Sequence, residues 1–362
     1  MEGARPSRRD FLRFSGLTAG VMCLGGLLQA CGGGSTASPD SLASSSPASA
    51  PASGSSAPGA SASTAAAAKP GTSAPAYKFS IAYTAPAAAF TSVWVAAEQN
   101  IFGKYGIQAD VRNMDSNVVT AALVSGELQF STTPALVSAV LSGSDVTFFG
   151  RLTNGPVFGL YAAKGIARVE DLKGKVIADT LTGSAPDAAV HDILDRHGLK
   201  EADVQLIHTP NAVAEFASLQ SGQAAAAILP VPTTLQARNA GFVEVTSTVK
   251  EGSPGLTASL GTKKARLKDD PASVRAVILA FKEATAFMHN NPGRTKEIIG
   301  KYTKTDPGPD LDETYAMYES NWEVGPMRAA DIAAALRWLP DPRAATADPA
   351  SFYDNSLIEA LR

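Results

Sequence analysis

Between residues 77 and 229 short apolar runs alternate with amphipathic ones, and the alternation comes in two blocks. Apolar runs bounded by turn residues read as strands; separated by amphipathic stretches, they predict a parallel or mixed sheet covered on both faces by helices. In the first block strands are expected over 79–83, 107–112, 128–131, 146–149 and 157–161, with helices over 93–99, 118–124 and 135–141. The second block places strands at 175–178, 204–208 and 225–229 around helices at 186–197 and 212–220. Beyond Gly255 the pattern turns mostly helical. Its clearest segment is 274–289, opened by Asp269-Asp270-Pro271 and stopped by Asn291-Pro292-Gly293. Further helices are expected over 309–320, 329–338 and 352–361.

Two blocks and a helical return predict two lobes. Lobe 1 is expected from 77–162 with 257–362 and lobe 2 from 163–256, with crossings near 162–165 and 251–256. In open sheets of this kind ligands sit outside the carboxyl ends of the strands, and closure of a cleft between lobes is the natural motion.

Tyr77 is also where the composition breaks. Residues 32–76 are a tract of Ala, Ser, Pro, Gly and Thr in which only Asp40 and Lys69 are charged. Such a segment buries too little apolar surface to offset the entropy of ordering, so a disordered tether is expected. A flexible coil of that length spans about 35–40 Å.

The first 31 residues read as an export address. Ser7-Arg8-Arg9-Asp10-Phe11-Leu12 is a twin-arginine pattern, residues 14–30 carry no charge, and the run closes as Leu28-Gln29-Ala30-Cys31. This resembles a bacterial lipoprotein signal, with Gln29 where such signals usually hold a small residue. As an ordinary transmembrane anchor the segment is short and rich in Gly. The resemblance implies lipid on Cys31, an extracytoplasmic location and anchoring to the cell membrane. Cys23 would be removed with the signal, so no disulfide is expected in the mature chain.

The whole chain carries −3; the signal holds four Arg against two acids, so its removal leaves about −5. No Lys/Arg stripe is present, which argues against nucleic acid as a partner.

Specific segments of the body resemble the sulfonate, nitrate, taurine and thiamine-precursor group of ABC-transporter solute-binding proteins. They are Ala96-Ala97-Glu98 with Ile101-Phe102 and Tyr105-Gly106-Ile107; Ala122-Leu123-Val124-Ser125-Gly126-Glu127; Asp171-Leu172-Lys173-Gly174-Lys175; Thr182-Gly183-Ser184 with His197-Gly198-Leu199; Leu219-Gln220-Ser221-Gly222-Gln223; and Asn291-Pro292. Gln129 and Ala225 stand where that group usually has acids. The resemblance implies a type II periplasmic-binding-protein fold, a small-molecule solute in the cleft, permease and ATPase subunits as partners, no cofactor, and a monomer.

Local physics marks where a solute would touch. Thr182-Gly183-Ser184 sets a flexible turn and two hydroxyls before a helix whose free N–H groups favour an anion or a carbonyl oxygen; the plainer alternative is Ser184 as an ordinary N-cap. Thr132 and Thr133, ahead of Pro134, repeat the device with the same alternative. Thr84 and Ala85 end the first strand at the expected cleft mouth or form plain loop. Pro230 ends a second-lobe strand as cleft wall or as rigid turn. Among the aromatics Tyr83, Phe90, Trp94, Phe158 and Trp322, Trp94 is the candidate for stacking on a solute, against a core role for each. Arg151 is the one arginine proposed near the cleft, with its direction open.

Catalytic and metal readings are weak. His191 and Asp195 are spaced i,i+4 without a third ligand, and Asp269-Asp270 reads as helix capping. No catalytic residue and no metal are expected. The rival readings are a solute-sensing module for a signalling partner and an enzyme of the thiamine-pyrimidine type. The second works through a cysteine-rich motif that this chain lacks.

Overall fold

The computed structural model describes residues 76–361. The expected export signal, Cys31 and the expected tether up to residue 75 lie outside the described residues.

The chain first runs through β1 (Tyr77–Tyr83), α1 (Thr91–Glu98), α2 (Ile101–Lys104), β2 (Ile107–Asn113), α3 (Ser116–Ser125), β3 (Phe130–Ser131), α4 (Leu136–Leu141) and β4 (Val146–Thr153). It then crosses to β5 (Phe158–Ala162), β6 (Val176–Asp179), α5 (Ala185–Arg196), β7 (Gln205–His208), α6 (Ala212–Gln220), β8 (Ala226–Pro230), α7 (Thr233–Asn239), β9 (Val243–Ser247) and α8 (Thr248–Glu251). The return brings β10 (Ser259–Lys263), α9 (Lys264–Asp269), α10 (Pro271–Asn290) and α11 (Pro292–Thr303). It ends with α12 (Pro309–Glu319), β11 (Trp322–Gly325), α13 (Ala329–Arg337) and α14 (Ser356–Glu359).

Two sheets result, ordered β11-β4-β10-β3-β1-β2 and β7-β6-β8-β5-β9. In the first, β1 pairs parallel with β2 and β3 while β10 runs against β3 and β4. The carboxyl ends of β1, β3 and β4 therefore share one edge with the amino end of β10. In the second, β6 is parallel to β7 and β8, and β5 runs against β8. Its edge gathers Asp179, His208 and Pro230 beside the start of β5.

Every residue of β4, β5 and β8 is buried, as interior strands of sheets covered on both faces should be. α10 shows how the sequence sets a helix. Asp270 Oδ1 accepts the Ser273 N–H at 3.2 Å, Pro271 follows with φ already suited to a first turn, and Val274, Val277, Ile278, Phe281, Ala284 and Met288 recur on one buried face. That face meets Phe102, whose ring stands edge-on to Phe281 at 5.5 Å. Burying a side chain of this size is worth about 1.5–3 kcal/mol.

Three expectations change. The strand after β4 joins the second sheet, so the first crossing lies at residues 154–157 and not at 162–165. Asn154-Gly155-Pro156 breaks the apolar run there, and β5 gains two partners, β8 and β9, that its own block cannot offer. The return is less helical than its pattern, because β10 enters the first sheet between β3 and β4 and β11 pairs at the edge. Finally, 352–361 forms only the short α14, after a 3₁₀ turn at Pro349–Phe352.

Candidate functional site

Where the two carboxyl-end edges meet, a narrow crevice with room for about 20 Å³ is lined by Pro134 and Ala335 from lobe 1, Gly183 and Ser184 from lobe 2, and Gly255 and Leu256 from the second crossing. Leu339 and Ser138 of lobe 1 stand close over Gly183, whose φ of +77° suits a glycine.

The start of α5 keeps its polar groups to itself. Ser184 Oγ accepts the Asp187 N–H at 3.3 Å and lies 2.8 Å from Thr180 Oγ1. Thr182 Oγ1 lies 3.1 Å from His208 Nε2. The Gly183 N–H donates to Asp187 Oδ2 at 2.7 Å. The N-cap alternative for Ser184 is thus observed, and the positive end of the helix faces a carboxylate of its own first turn. Burial acts to raise the Asp187 pKa, but the bonds from His191 and the Gly183 N–H outweigh it and hold the group below the usual carboxylate range. Asp179, beside it, is pushed up to about 7 by burial and then by the Asp187 charge.

On the lobe 1 edge, Thr132 and Thr133 are wholly buried. Thr132 Oγ1 donates to the Ala82 carbonyl at 3.0 Å, and Thr133 Oγ1 accepts the Ala135 N–H at 3.2 Å. Both hydroxyls are spent on the backbone. Their neighbours are not: Ser131, Thr153, Thr257 and Ser259 bury hydroxyls with no partner among the described residues. Ser259 N–H bonds the Thr132 carbonyl at 3.1 Å and Gly261 pairs with Ser131, so two of these groups lie on adjacent strands. Sequence reading missed them. The available signal was Thr257 and Ser259 at period two, which puts both on one face of an extended chain.

The other candidates separate. Thr84 and Ala85 follow β1 and remain partly exposed. Pro230 closes β8, buried opposite Phe158. Trp94 has no exposure; it stacks on Tyr302 at 4.7 Å and 3° and meets Tyr83 edge-on at 5.7 Å. Its ring is a core element, because the face a solute would take is held by Tyr302. Arg151 is turned to Glu323 at 3.0 Å and to the carbonyls of Pro326 and Thr153, so its charge is matched inside lobe 1.

Side chains also tie the lobes. Arg238 on α7 reaches Glu313 on α12, Asn239 bonds Asp310 at 2.6 Å, and Arg337 on α13 bonds Asp195 on α5 at 2.8 Å. The His191 ring lies on Trp338 at 5.0 Å and 15°. Val231, after β8, is buried in the first-lobe core and accepts the Ala88 N–H at 3.2 Å.

Solved structures with this architecture include a protein of Bordetella bronchiseptica (21% identity, TM-score 0.65, 78% of this chain and 96% of that one). The periplasmic aliphatic sulphonate binding protein SsuA of Escherichia coli matches at 18% identity and TM-score 0.64, over 76% and 92% of the two chains. The periplasmic nitrate-binding protein NrtA of Synechocystis matches at 15% and 0.62, over 80% and 89%. At these identities the likeness is one of fold: the type II periplasmic-binding-protein architecture of two α/β lobes, two crossings and a cleft. A protein of Brucella abortus, described as a binding protein, is 27% identical over 225 residues, 59% of this chain and 67% of its own. Residues 87–295, more than half of the chain, match the family described as NMT1/THI5 like, and the chain belongs to that family.

Proposed function

We propose that this protein is the extracytoplasmic solute-binding receptor of an ABC importer, held to the cell membrane by lipid on Cys31 after twin-arginine export. It passes a small solute to permease and ATPase subunits as a monomer, through closure of its lobes, and performs no chemistry on the solute. We take lobe 1 as residues 76–153 with 259–361, and lobe 2 as 158–247.

The observation that carries this reading is the set of unpartnered hydroxyls of Ser131, Thr153, Thr257 and Ser259 at the lobe 1 edge. A buried hydroxyl without a partner costs about 1–3 kcal/mol. A solute that enters between the lobes and offers donors and acceptors to this edge removes that cost, and contacts it makes to the second lobe as well supply the differential affinity that drives closure. Family membership and the sulphonate- and nitrate-binding fold neighbours support the same role.

The charge balance favours one of the two expected solute classes. Asp187 already occupies the α5 start, and Arg151 is matched by Glu323. A sulfonate-like anion would find no unmatched cation in either place. The solute we infer is polar without net negative charge, of the pyrimidine-like class.

The test is a thermal-shift screen of the purified protein against pyrimidines, sulfonates, nitrate and amino acids. A ligand at a hundred times its Kd adds about 2.7 kcal/mol, a visible rise in Tm. Pyrimidines alone raising Tm supports the reading, sulfonates alone overturns the solute class, and no response from folded, ligand-free protein overturns the receptor role.

A further inference from the structure

Behind the start of α5 the second lobe buries three carboxyl groups. Asp179 and Glu215 have no exposure and Asp187 has 1%. Asp179 Oδ2 and both Glu215 carboxyl oxygens have no hydrogen-bond partner among the described residues, and Asp187 Oδ1 faces His191 Nε2 at 3.4 Å. Among the described residues no Lys or Arg pairs with them; the groups that reach them are His208 on Asp179 at 2.6 Å, and His191 at 3.4 Å and the Gly183 N–H at 2.7 Å on Asp187. An unmatched carboxylate in a protein interior costs several kcal/mol even after relaxation. Buried carboxyls escape that cost either by holding protons or by meeting positive charge.

The arrangement offers a site for that charge. One ligand atom from each of Asp179, Asp187 and His208 lies within 4.8 Å of the other two. We propose that these three residues bind a first-row divalent metal ion of the Zn²⁺ type. Two carboxylate oxygens and an imidazole nitrogen are the donor set such ions take, whereas Mg²⁺ and Ca²⁺ prefer oxygen throughout. Tetrahedral bonds of about 2.0–2.2 Å set ligand atoms about 3.3–3.6 Å apart, so atoms that lie up to 4.8 Å apart here close by up to about 1.5 Å around an ion.

The surroundings fit a metal centre. The His208 side chain is 39% exposed, which gives the ion a path from solvent. His191 braces Asp187 from outside and is itself held flat on Trp338, as outer groups orient metal ligands elsewhere. Asp187 also holds the N–H of Gly183, which lines the crevice, so the ion sits one residue contact from the proposed solute. Two positive charges balance the Asp179 and Asp187 carboxylates; Glu215 lies outside the ligand set, and burial raises its pKa so that it is kept neutral by a proton. The metal site does not depend on the solute reading.

The test uses the processed protein without a histidine tag, stripped with EDTA and dialysed against excess Zn²⁺. Elemental analysis should find close to one Zn²⁺ per chain, with a rise in Tm that EDTA reverses and visible absorption bands after Co²⁺ substitution. Asp187→Asn and His208→Gln should each weaken Zn²⁺ by about tenfold or more. His208 is half-exposed, so its variant should fold, and circular dichroism checks both. Retention below about a tenth of an equivalent by folded wild type, or retention unchanged in His208→Gln, overturns the site; protons then hold the carboxyls. Neither result bears on the solute screen, whose readout is the Tm shift caused by added solute.

Discussion

Arg238 of lobe 2 donates both terminal nitrogens to the Glu313 carboxylate of lobe 1, at 2.7 and 2.8 Å. The fork-to-carboxylate geometry is specific, but both side chains are more than 40% exposed. Solvent screening therefore limits the pair to about 0.2–1 kcal/mol. Arg238→Ala should weaken solute affinity by at most about fivefold with little change in Tm, and Arg238→Glu should weaken it further. Small-angle scattering should show both variants more open. Unchanged affinity and dimensions in the charge reversal would separate this pair from closure.

Ser259→Ala has opposite expected effects on two measurements. The hydroxyl is buried without a partner, so removing it should leave solute-free Tm unchanged or raised, while solute affinity falls by about 1 kcal/mol, or fivefold. Affinity equal to wild type would move the solute away from this edge.

Trp94→Ala should cost about 3–5 kcal/mol of stability, as large truncations in a core do, because the ring is fully buried against Tyr302 and Tyr83. Trp94→Phe should cost less and leave solute affinity intact. A Trp94→Phe protein that folds normally but loses solute would return this ring to the site.

Ser184→Ala removes the hydroxyl that accepts the Asp187 N–H and should destabilise the fold by about 1 kcal/mol, the usual loss for an N-cap. In a domain of this size that lowers Tm by about 2–4 °C. Ser184→Asn should restore most of it, which a purely solute-contacting serine would not show.

His197 gives the second lobe a pH dependence. Burial acts to lower its pKa, but bonds to Glu251 and Glu170 outweigh it and raise the group above its ordinary value. A histidine raised on folding stabilises fully below its unfolded pKa of about 6.5, and that contribution disappears as pH climbs through the folded value. Tm should therefore fall from mildly acid to alkaline pH, and His197→Gln should flatten the curve over that window. An identical Tm–pH curve in the variant would remove His197 from the account.

The two β-α blocks were legible because alternation and burial are local. The strand at 79–83 is β1, the helix at 186–197 is α5, and the Asp270-Pro271 start of α10 is visible in the letters alone. Ser184 was legible as a cap for the same reason. β9, β10 and β11 were not: five residues or fewer, with Gly and Thr in β10, carry little periodicity. They are strands because neighbouring strands in the sheet supply hydrogen bonds.

The sequence by itself determined a composition break at residue 77, two α/β blocks, their capping residues and a family resemblance, all of which follow from short-range pattern. Tertiary structure alone decided that β5 belongs to the second sheet, that Trp94 is core, and that Arg151 is matched by Glu323. It also brought Asp179, Asp187 and His208 from two strand ends and a helix start into one cluster, with both carboxyls buried and the imidazole partly exposed. No spacing along the chain encodes that meeting, because it is the parallel pairing of β6 with β7 that sets Asp179 beside His208.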